Sequence, residues 1–303
     1  MSGSVFVAYV IVSLVWGSTY LAIRIGVGHL PPALFGGIRF TIAGLVLLGI
    51  SLALGRQLPH RRRDWATAAV VGTMLLTVGN GLVIWAEQFV ESGTAAILVV
   101  TGALWMGVFD SIIPGSESRP TWRHFVGLLV GFGGTALLVG DLGGLGTAGI
   151  VPVAALLVAS SSWAMGSVYS KRHPVETGPY VHAALQMTAG GAVLLVVGLV
   201  SGEVGAFEWT AAGVGAIAYL IVFGSIVAYT SYVYLLRHAQ PAFVGTHGYV
   251  NTLVAVLLGW WILGEQVTLV TFVAMGIIIG AVIWVRQAES GKGAKGEGGT
   301  VEV

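Results

Sequence analysis

Cysteine is absent from the 303-residue chain, and charged side chains are scarce. The missing cysteines exclude disulfide bonds and cysteine-ligated metal sites. Aspartate, glutamate, lysine and arginine together make up 9% of the sequence, whereas a typical soluble domain contains about 25%. A water-soluble protein of this length could not cover its surface with so few charges. The composition therefore excludes an ordinary soluble domain.

The sequence also lacks the motifs of catalysis and ATP binding. It contains no Walker sequence, no histidine cluster with metal-ligand spacing and no Ser/His/Asp grouping. The glycine-rich run from Gly131 to Gly134 lies inside an apolar segment, so no soluble strand and helix frame it as a phosphate loop. We therefore expect no enzymatic activity, no catalytic residues, no metal and no cofactor. The net charge of +1 gives no reason to expect nucleic acid as a partner.

Hydrophobic residues dominate instead, at 56% of the chain. Apolar runs long enough to cross a hydrocarbon core of about 30 Å recur along the whole length. Turn-forming residues separate them, and strand-length alternation is missing, so helices rather than a barrel are predicted. The result is an all-α membrane protein of ten transmembrane helices, at 5–27, 31–54, 65–86, 92–113, 121–140, 149–170, 179–200, 210–235, 242–263 and 268–286.

The charges are sorted between the loops. All basic residues except Arg24 and Arg39 fall in even-numbered loops or the C-terminal tail, whereas the other loops carry acidic residues. By the positive-inside rule, both termini are predicted to be cytoplasmic and the protein to reside in the inner membrane. The tail at 287–303, rich in glycine, lysine and glutamate, is predicted to be disordered.

The two halves of the chain resemble each other. Trp16 and the Gly17–Tyr20 segment recur as Trp163 and the Gly166–Tyr169 segment, at an offset of about 147–149 residues. Each half holds five predicted spans, so the copies at 5–140 and 149–286 would face opposite ways across the membrane. Transporters built from such inverted repeats bind their substrate near the midplane, where the repeats meet.

The ten tryptophans form two groups. Seven lie near predicted membrane boundaries, where tryptophan belts are common; they are Trp65, Trp85, Trp122, Trp209, Trp260, Trp261 and Trp284. Trp16, Trp105 and Trp163 fall near the middle of their spans instead. An indole N–H at that depth needs a partner, supplied either by neighbouring helices or by a polar cavity.

Polar residues at helical spacing extend this set. They lie on predicted spans 1, 3, 4, 6, 8 and 9, whereas the other spans carry fewer such stripes. A ring of six amphipathic helices around a polar centre is therefore predicted. The candidate cavity residues are Trp16, Tyr20, Asn80, Thr101, Trp105, Trp163, Ser167, Tyr229, Tyr232, His247 and Asn251.

Three ionisable residues lie in or near the outer half of the predicted membrane region: Arg24, Arg39 and Glu87. Such groups are costly there and are usually paired or functional. One interpretation is a structural Arg–Glu pair that clamps spans 1 to 3. The other is an arginine that anchors a substrate carboxylate. His247 or Glu87 as a proton carrier is a further possibility.

An ordered series of motifs resembles the EamA family of the drug/metabolite transporter superfamily, over about residues 5–286. The motifs are Trp16-Gly17-Ser18-Thr19-Tyr20, Arg24, Pro31-Pro32, Arg39-Phe40, Gly79-Asn80-Gly81, Trp85-Ala86-Glu87-Gln88, Ser92-Gly93-Thr94-Ala95-Ala96, Tyr249-Val250-Asn251 and Gly264-Glu265. This resemblance implies ten helices in two inverted repeats and export of amino acids or related metabolites. Such relatives often have proline where this chain has Ala103 and Thr252, so a proline-dependent kink is not expected there.

The leading hypothesis is a secondary exporter of small metabolites, most of all amino acids, including aromatic ones. Efflux of toxic hydrophobic compounds is an alternative, and a structural subunit or enzyme of membrane lipid metabolism is an alternative from another class. The expected partners are a small-molecule substrate and the lipid bilayer, with the protein as a monomer or weak homodimer.

Overall fold

The computed structural model describes residues 3–112, 122–141, 149–238 and 247–296, and these are helical with short connections. No strand occurs among them. A helix satisfies its backbone N–H and C=O groups within its own segment, which is a requirement wherever lipid replaces water. We name the two ends of the bundle inner and outer, after the predicted orientation.

The helices of the first half are interrupted twice. They are α1 (Gly3–Val27), α2 (Pro32–Ala53), α3 (Arg62–Gly72), the π-helical segment π1 (Thr73–Asn80), α4 (Gly81–Ala86), α5 (Ser92–Val99), α6 (Gly102–Ile112) and α7 (Trp122–Asp141). α3, π1 and α4 form one continuous rod from Arg62 to Ala86. α5 and α6 are separated by a break at Val100 and Thr101, where the Thr101 hydroxyl donates to the Leu98 carbonyl at 2.6 Å. This break forms although residue 103 is alanine.

The second half is also helical, with interruptions. It comprises α8 (Ile150–Arg172), α9 (Pro179–Val200), a short 3₁₀ helix (Glu203–Ala206), α10 (Ala211–Tyr219), π2 (Leu220–Val227), α11 (Ala228–His238), α12 (His247–Leu258), π3 (Gly259–Leu263) and α13 (Leu269–Gly296). Within the described ranges, six helices are long and apolar enough to cross a membrane. The ten-span arrangement in two inverted repeats stays a prediction.

The last helix and the tail differ from the expected boundary. α13 continues to Gly296, beyond the predicted end of the span at 286, so residues 287–296 of the predicted disordered tail are helical. Residues 297–303 lie outside the described part of the chain. Residues 242–246, predicted as the start of span 9, also lie outside it.

The two π-helical segments inside long rods occupy corresponding positions. π1 and π2 have eight residues each, and their first residues, Thr73 and Leu220, are separated by 147 positions. That separation equals the one between Trp16 and Trp163 in the sequence repeat. π-helical turns in α-helices are rare and occur often at functional sites. The matching interruptions favour a duplicated five-helix unit.

Helices from corresponding positions of the two halves contact each other. α2 packs along α9, α7 along α13, and α5 along α12. The α2–α9 contact is the most extensive of those between described elements. It depends on glycine: a Cβ atom added at Gly44 would lie 2.6 Å from the Thr188 nitrogen, and one added at Gly191 would lie 2.5 Å from the Thr41 nitrogen. Small residues permit this close backbone approach between apolar helices.

Large apolar side chains cover much of the outside of the bundle. Examples are Leu129 and Val200, which are 72% and 84% exposed. A soluble protein would not present so many of them to water, whereas lipid accepts them. At the predicted outer boundary, Trp209 and Trp261 are 73% and 77% exposed, as belt residues would be.

Two carboxylates tie the halves together at the outer end. Glu265, which follows π3, accepts hydrogen bonds from the Ser92 and Gly93 backbone nitrogens at 2.8 and 3.1 Å and from the Ser92 hydroxyl at 2.9 Å. Glu203, which follows α9, accepts from the backbone nitrogens of Ala33 and Leu34 at 3.2 and 2.8 Å. Each carboxylate thus caps the N-terminus of a helix in the other half.

Loss of the Glu265 cap is expected to destabilise the fold. In the Glu265→Ala variant the Ser92 and Gly93 N–H groups at the start of α5 lose their acceptor, at a cost of about 1–3 kcal/mol. We expect a lower thermal unfolding midpoint in detergent. Glu208→Ala serves as the control, because Glu208 is an exposed acidic residue of the same predicted face. An unchanged midpoint for Glu265→Ala would contradict the assigned cap.

Candidate functional site

Four aromatic rings from three helices meet between the halves. Trp16 of α1 lies 5.0 Å from Tyr232 of α11 and 5.2 Å from His247 of α12, measured between ring centroids. Tyr232 lies 5.7 Å from His247 and 6.3 Å from Tyr229. We call these four residues the aromatic cluster. All four were predicted as cavity residues from the sequence, and the structure brings them together.

Asn251 joins the cluster one helical turn beyond His247. Its side-chain amide donates to the backbone carbonyls of Ser13 and His247 at 2.8 and 2.9 Å, and its oxygen accepts from His247 Nδ1 at 3.1 Å. In this arrangement His247 carries a hydrogen on Nδ1, and its ring orientation is fixed by Asn251. Asn251 therefore positions the histidine edge of the aromatic cluster.

Trp16 also contacts π2. Its indole Nε1 donates to the Gly224 carbonyl at 3.0 Å. The corresponding contact in the other half runs from α8 to π1: the Ser162 hydroxyl donates to the Met74 carbonyl at 2.8 Å, and a Cβ atom added at Gly79 would lie 3.4 Å from the Trp163 ring. π-helical turns leave backbone carbonyls available to such side-chain donors. The predicted pair Trp16 and Trp163 thus lies against the two π segments.

Arg39 of α2 is buried beside the same part of π2. Its side chain is 4% exposed, its Nε donates to the Ser225 hydroxyl at 3.3 Å, and its guanidinium lies 4.5 Å from the centre of the Phe40 ring. Among the described residues, no acceptor lies within hydrogen-bond distance of its Nη1. A Cβ atom added at Gly224 would lie 3.3 Å from Nη2. Gly224 therefore lies next to both the Arg39 guanidinium and the Trp16 indole.

The Arg24 guanidinium contacts the backbone of Glu87 and not its carboxyl group. Arg24 Nη1 donates to the Glu87 backbone carbonyl. Both oxygens of the Glu87 carboxyl are buried, and none of the described residues donates a hydrogen bond to them. Arg61 and Glu176 form an ion pair at 2.8 Å, at the inner end, whereas Arg24 and Glu87 form none within 4.0 Å. The structural alternative for Arg24, Arg39 and Glu87 therefore involves a side chain-to-backbone hydrogen bond and not an ion pair.

The other predicted cavity residues lie elsewhere in the bundle. Trp105 of α6 stacks on Phe109 at 6.1 Å and contacts Phe132 of α7 at 5.7 Å, so its ring packs between α6 and α7. The Thr101 hydroxyl contacts the Ser160 hydroxyl at 3.2 Å. Thr101, at the break before α6, thus contacts α8.

Two predicted polar residues bond to carbonyls of their own helices. Asn80 Nδ2 donates to the Leu75 carbonyl at 3.2 Å. The Ser167 hydroxyl donates to the Trp163 carbonyl at 2.8 Å. Tyr20, on the same helix as Trp16, packs against a group of buried apolar residues that includes Ala95, Ile97 and Ala274. It also interacts electrostatically with Glu87.

Sequence reasoning did not identify the two capping carboxylates as structural residues. A signal was present, because each follows a glycine after an apolar run. Gly202 and Gly264 have φ angles of 77° and 67°, a left-handed conformation that glycine adopts without strain. The Gly-Glu pair therefore turns the chain and aims a carboxylate back at the bundle.

Cavities open at both ends of α1, with Trp16 between them. The inner cavity, of about 440 Å³, is lined by residues that include Ser4, Tyr180 and Tyr234. The outer cavity has a similar volume of about 440 Å³ and is lined by residues that include Arg24 and Glu265. Trp16 thus lies between the two cavities along α1, and the residues that line the cavities do not include those of the aromatic cluster.

Apolar helices with an aromatic and cationic centre define a polytopic membrane protein of the transporter class. Residues 2–140 and 151–287 match the EamA-like transporter family, and the chain belongs to this family. It is 39% identical over 286 residues to the inner membrane transporter YedA of Escherichia coli (strain K12), which covers 93% of this chain and 89% of that protein. The protein is therefore a multi-pass inner-membrane transporter and not an enzyme.

More distant similarities agree with this assignment. The transporter YoaV of Bacillus subtilis (strain 168) is 25% identical over 92% of this chain and 93% of its own. A "Probable terminal-alkyne amino-acid exporter" of Streptantibioticus cattleyicolor is 28% identical over 43% of each chain. A solved crystal structure with 23% identity superposes with a TM-score of 0.64 and covers 94% of this chain and 97% of that chain, which shows a shared fold.

Proposed function

We propose that this transporter exports amino acids, aromatic ones among them, by alternating access between its two five-helix halves. The observation that carries the proposal is that Arg39 and Trp16 both lie next to Gly224. A buried guanidinium with an unused N–H suits a carboxylate. The aromatic cluster beside it suits an apolar or aromatic side chain. An amino acid presents both groups in one small molecule.

The placement of the cluster supports transport rather than static binding. Along α1, Trp16 lies between the inner and outer cavities; it belongs to the first half, and its ring neighbours Tyr232 and His247 belong to the second. Relative movement of the halves would open the cluster to one cavity and close it to the other, as inverted-repeat transporters do. The predicted orientation with both termini in the cytoplasm assigns the inner cavity to substrate entry.

The proposal is tested by counterflow of labelled L-phenylalanine in proteoliposomes. Trp16→Ala removes the central ring of the aromatic cluster and is expected to lower the flux by about tenfold, corresponding to about 1.4 kcal/mol of lost ring contact. Trp209→Ala is the matched control, because Trp209 is 73% exposed at the outer boundary. Equal fluxes for the two variants would contradict the assigned site, and absence of wild-type flux for a panel of amino acids would contradict amino-acid export.

Efflux of toxic hydrophobic compounds is the second candidate, and the aromatic cluster favours it as well. The two functions differ in their need for Arg39, since a lipophilic cation has no carboxylate and is repelled by a guanidinium. Ethidium uptake into the same proteoliposomes distinguishes them. Ethidium flux without phenylalanine flux would favour the second candidate.

A further inference from the structure

Glu87 is a fully buried carboxyl group that the substrate site does not use. It follows directly on α4, its side chain is 0% exposed, and no described residue donates a hydrogen bond to either of its oxygens. A carboxylate in this position would lack both water and hydrogen bonds, which is very unfavourable for the ionised form. The neutral acid avoids most of that penalty, because it carries no charge to desolvate.

Charged and titratable groups face Glu87 from each packed element that interacts with it. Tyr20 and Arg24 belong to α1, Arg39 belongs to α2, and Glu265 lies between π3 and α13. The two arginines favour the ionised carboxylate, whereas Glu265 disfavours it. Neither arginine forms an ion pair with Glu87 within 4.0 Å. The carboxyl group is therefore close to cations without being paired to one.

Arg24 connects the position of Glu87 to the outer cavity. Arg24 donates to the Glu87 carbonyl and also lines the outer cavity, together with His29, Glu91 and Glu265. A small movement of α1 against α4 would admit water to the Glu87 carboxyl. The same movement would bring the Arg24 guanidinium within reach of the newly ionised oxygens.

We propose that Glu87 is a proton-binding site that carries a proton in this conformation and releases it into the outer cavity when the outer end opens. In that step the carboxyl O–H bond breaks, its electron pair stays on oxygen, and water in the cavity accepts the proton. The carboxylate left behind is stabilised by Arg24 or Arg39. Its link to substrate movement rests on the proposed export function, whereas the protonation itself does not.

Infrared difference spectroscopy of the full-length protein in liposomes tests the protonation without any substrate. The wild type is expected to show the C=O stretching band of a buried carboxylic acid at neutral pH, which Glu87→Gln should remove. Glu91→Gln is the control: Glu91 is partly buried and accepts from the Gln266 nitrogen at 3.1 Å, and its replacement should leave the band in place. A band that persists in Glu87→Gln, or its absence from the wild type, overturns the proposal.

A second variant guards against misfolding of Glu87→Gln. Glu87→Asp keeps the acid one methylene shorter, so the band should move and not disappear; a band at the unchanged frequency overturns the proposal.

Coupling is then measured with labelled L-phenylalanine at a clamped membrane potential. If one proton exchanges for each substrate, a gradient of one pH unit changes the accumulation ratio about tenfold in the wild type and leaves it unchanged in Glu87→Gln. Equal responses of the two proteins contradict coupling through Glu87, while an absent phenylalanine flux with an intact band contradicts only the export function.

Discussion

Replacement of Arg39 by glutamine is expected to lower L-phenylalanine flux by at least about thirtyfold, because a buried charged contact to a carboxylate contributes about 2–5 kcal/mol. Arg39 is 4% exposed, and its Nη1 has no acceptor among the described residues, so a substrate carboxylate would supply the missing partner. Glutamine keeps a polar group but removes the charge. Arg39→Lys should retain part of the flux, since it keeps the charge but loses the fork of N–H donors.

The substrate itself supplies a second control for Arg39. Wild-type protein should prefer L-phenylalanine over L-phenylalanine amide, which has no carboxylate, and Arg39→Gln should lose that preference. Arg61→Gln is the matched arginine control, because Arg61 lies exposed in an ion pair at the inner end. An Arg39→Gln protein that still distinguishes acid from amide would show that the carboxylate binds elsewhere.

Substitution of Gly44 by alanine is expected to lower the thermal midpoint of the protein in detergent, by overpacking that costs about 1–3 kcal/mol. A methyl group at this position would lie 2.5 Å from the Thr188 hydroxyl oxygen, 2.6 Å from the Thr188 nitrogen and 2.8 Å from the Ala184 carbonyl. The last two atoms are backbone, so α2 and α9 would have to separate to accommodate it.

Gly49 offers a control on the same helix. A methyl group there meets nothing within 4 Å, and alanine is a better helix former than glycine by about 0.5–1 kcal/mol. Gly49→Ala should therefore leave the midpoint unchanged or raise it. If Gly44→Ala and Gly49→Ala give the same midpoint, the α2–α9 contact does not depend on close backbone approach.

Hydrophobic length and turn residues were sufficient to predict where helices lie. The second span illustrates this: the sequence predicts a helix at 31–54, and α2 runs from Pro32 to Ala53. A long apolar run has one stable backbone solution in lipid, so its ends follow from the polar residues that flank it. The π segments have no such signal, because their formation depends on tertiary contacts such as that of Trp16 with Gly224.

The aromatic cluster was predictable only in part. Helical spacing placed Tyr229, Tyr232, His247 and Asn251 on polar stripes. In the structure Trp16 contacts Tyr232 and His247, Tyr229 contacts Tyr232, and Asn251 bonds to His247. Depth alone suggested the same role for Trp105, whose ring contacts Phe132 instead. Depth in a span does not determine which way a side chain points, and the rotation of a helix about its axis depends on its neighbours.

The charged residues show a further limit of sequence reasoning. Their position near the outer half of the membrane was evident, but an ion pair and a bond from Arg24 to a backbone carbonyl are equally compatible with the spacing. Only the fold distinguishes Arg39, which lies beside Gly224 and Ser225, from Arg24, which lies at the outer cavity. The two arginines therefore have different surroundings in the fold.

The hydrogen bonds to π1 and π2 make the two halves different in this conformation. In one half a tryptophan, Trp16, donates to the π segment; in the other a serine, Ser162, does so and the corresponding Trp163 only packs beside it. An exchange of conformations between the halves would transfer the indole hydrogen bond from Trp16 to Trp163. Under the proposed alternating access, the indole that is hydrogen-bonded would then be a spectroscopic marker of the conformation.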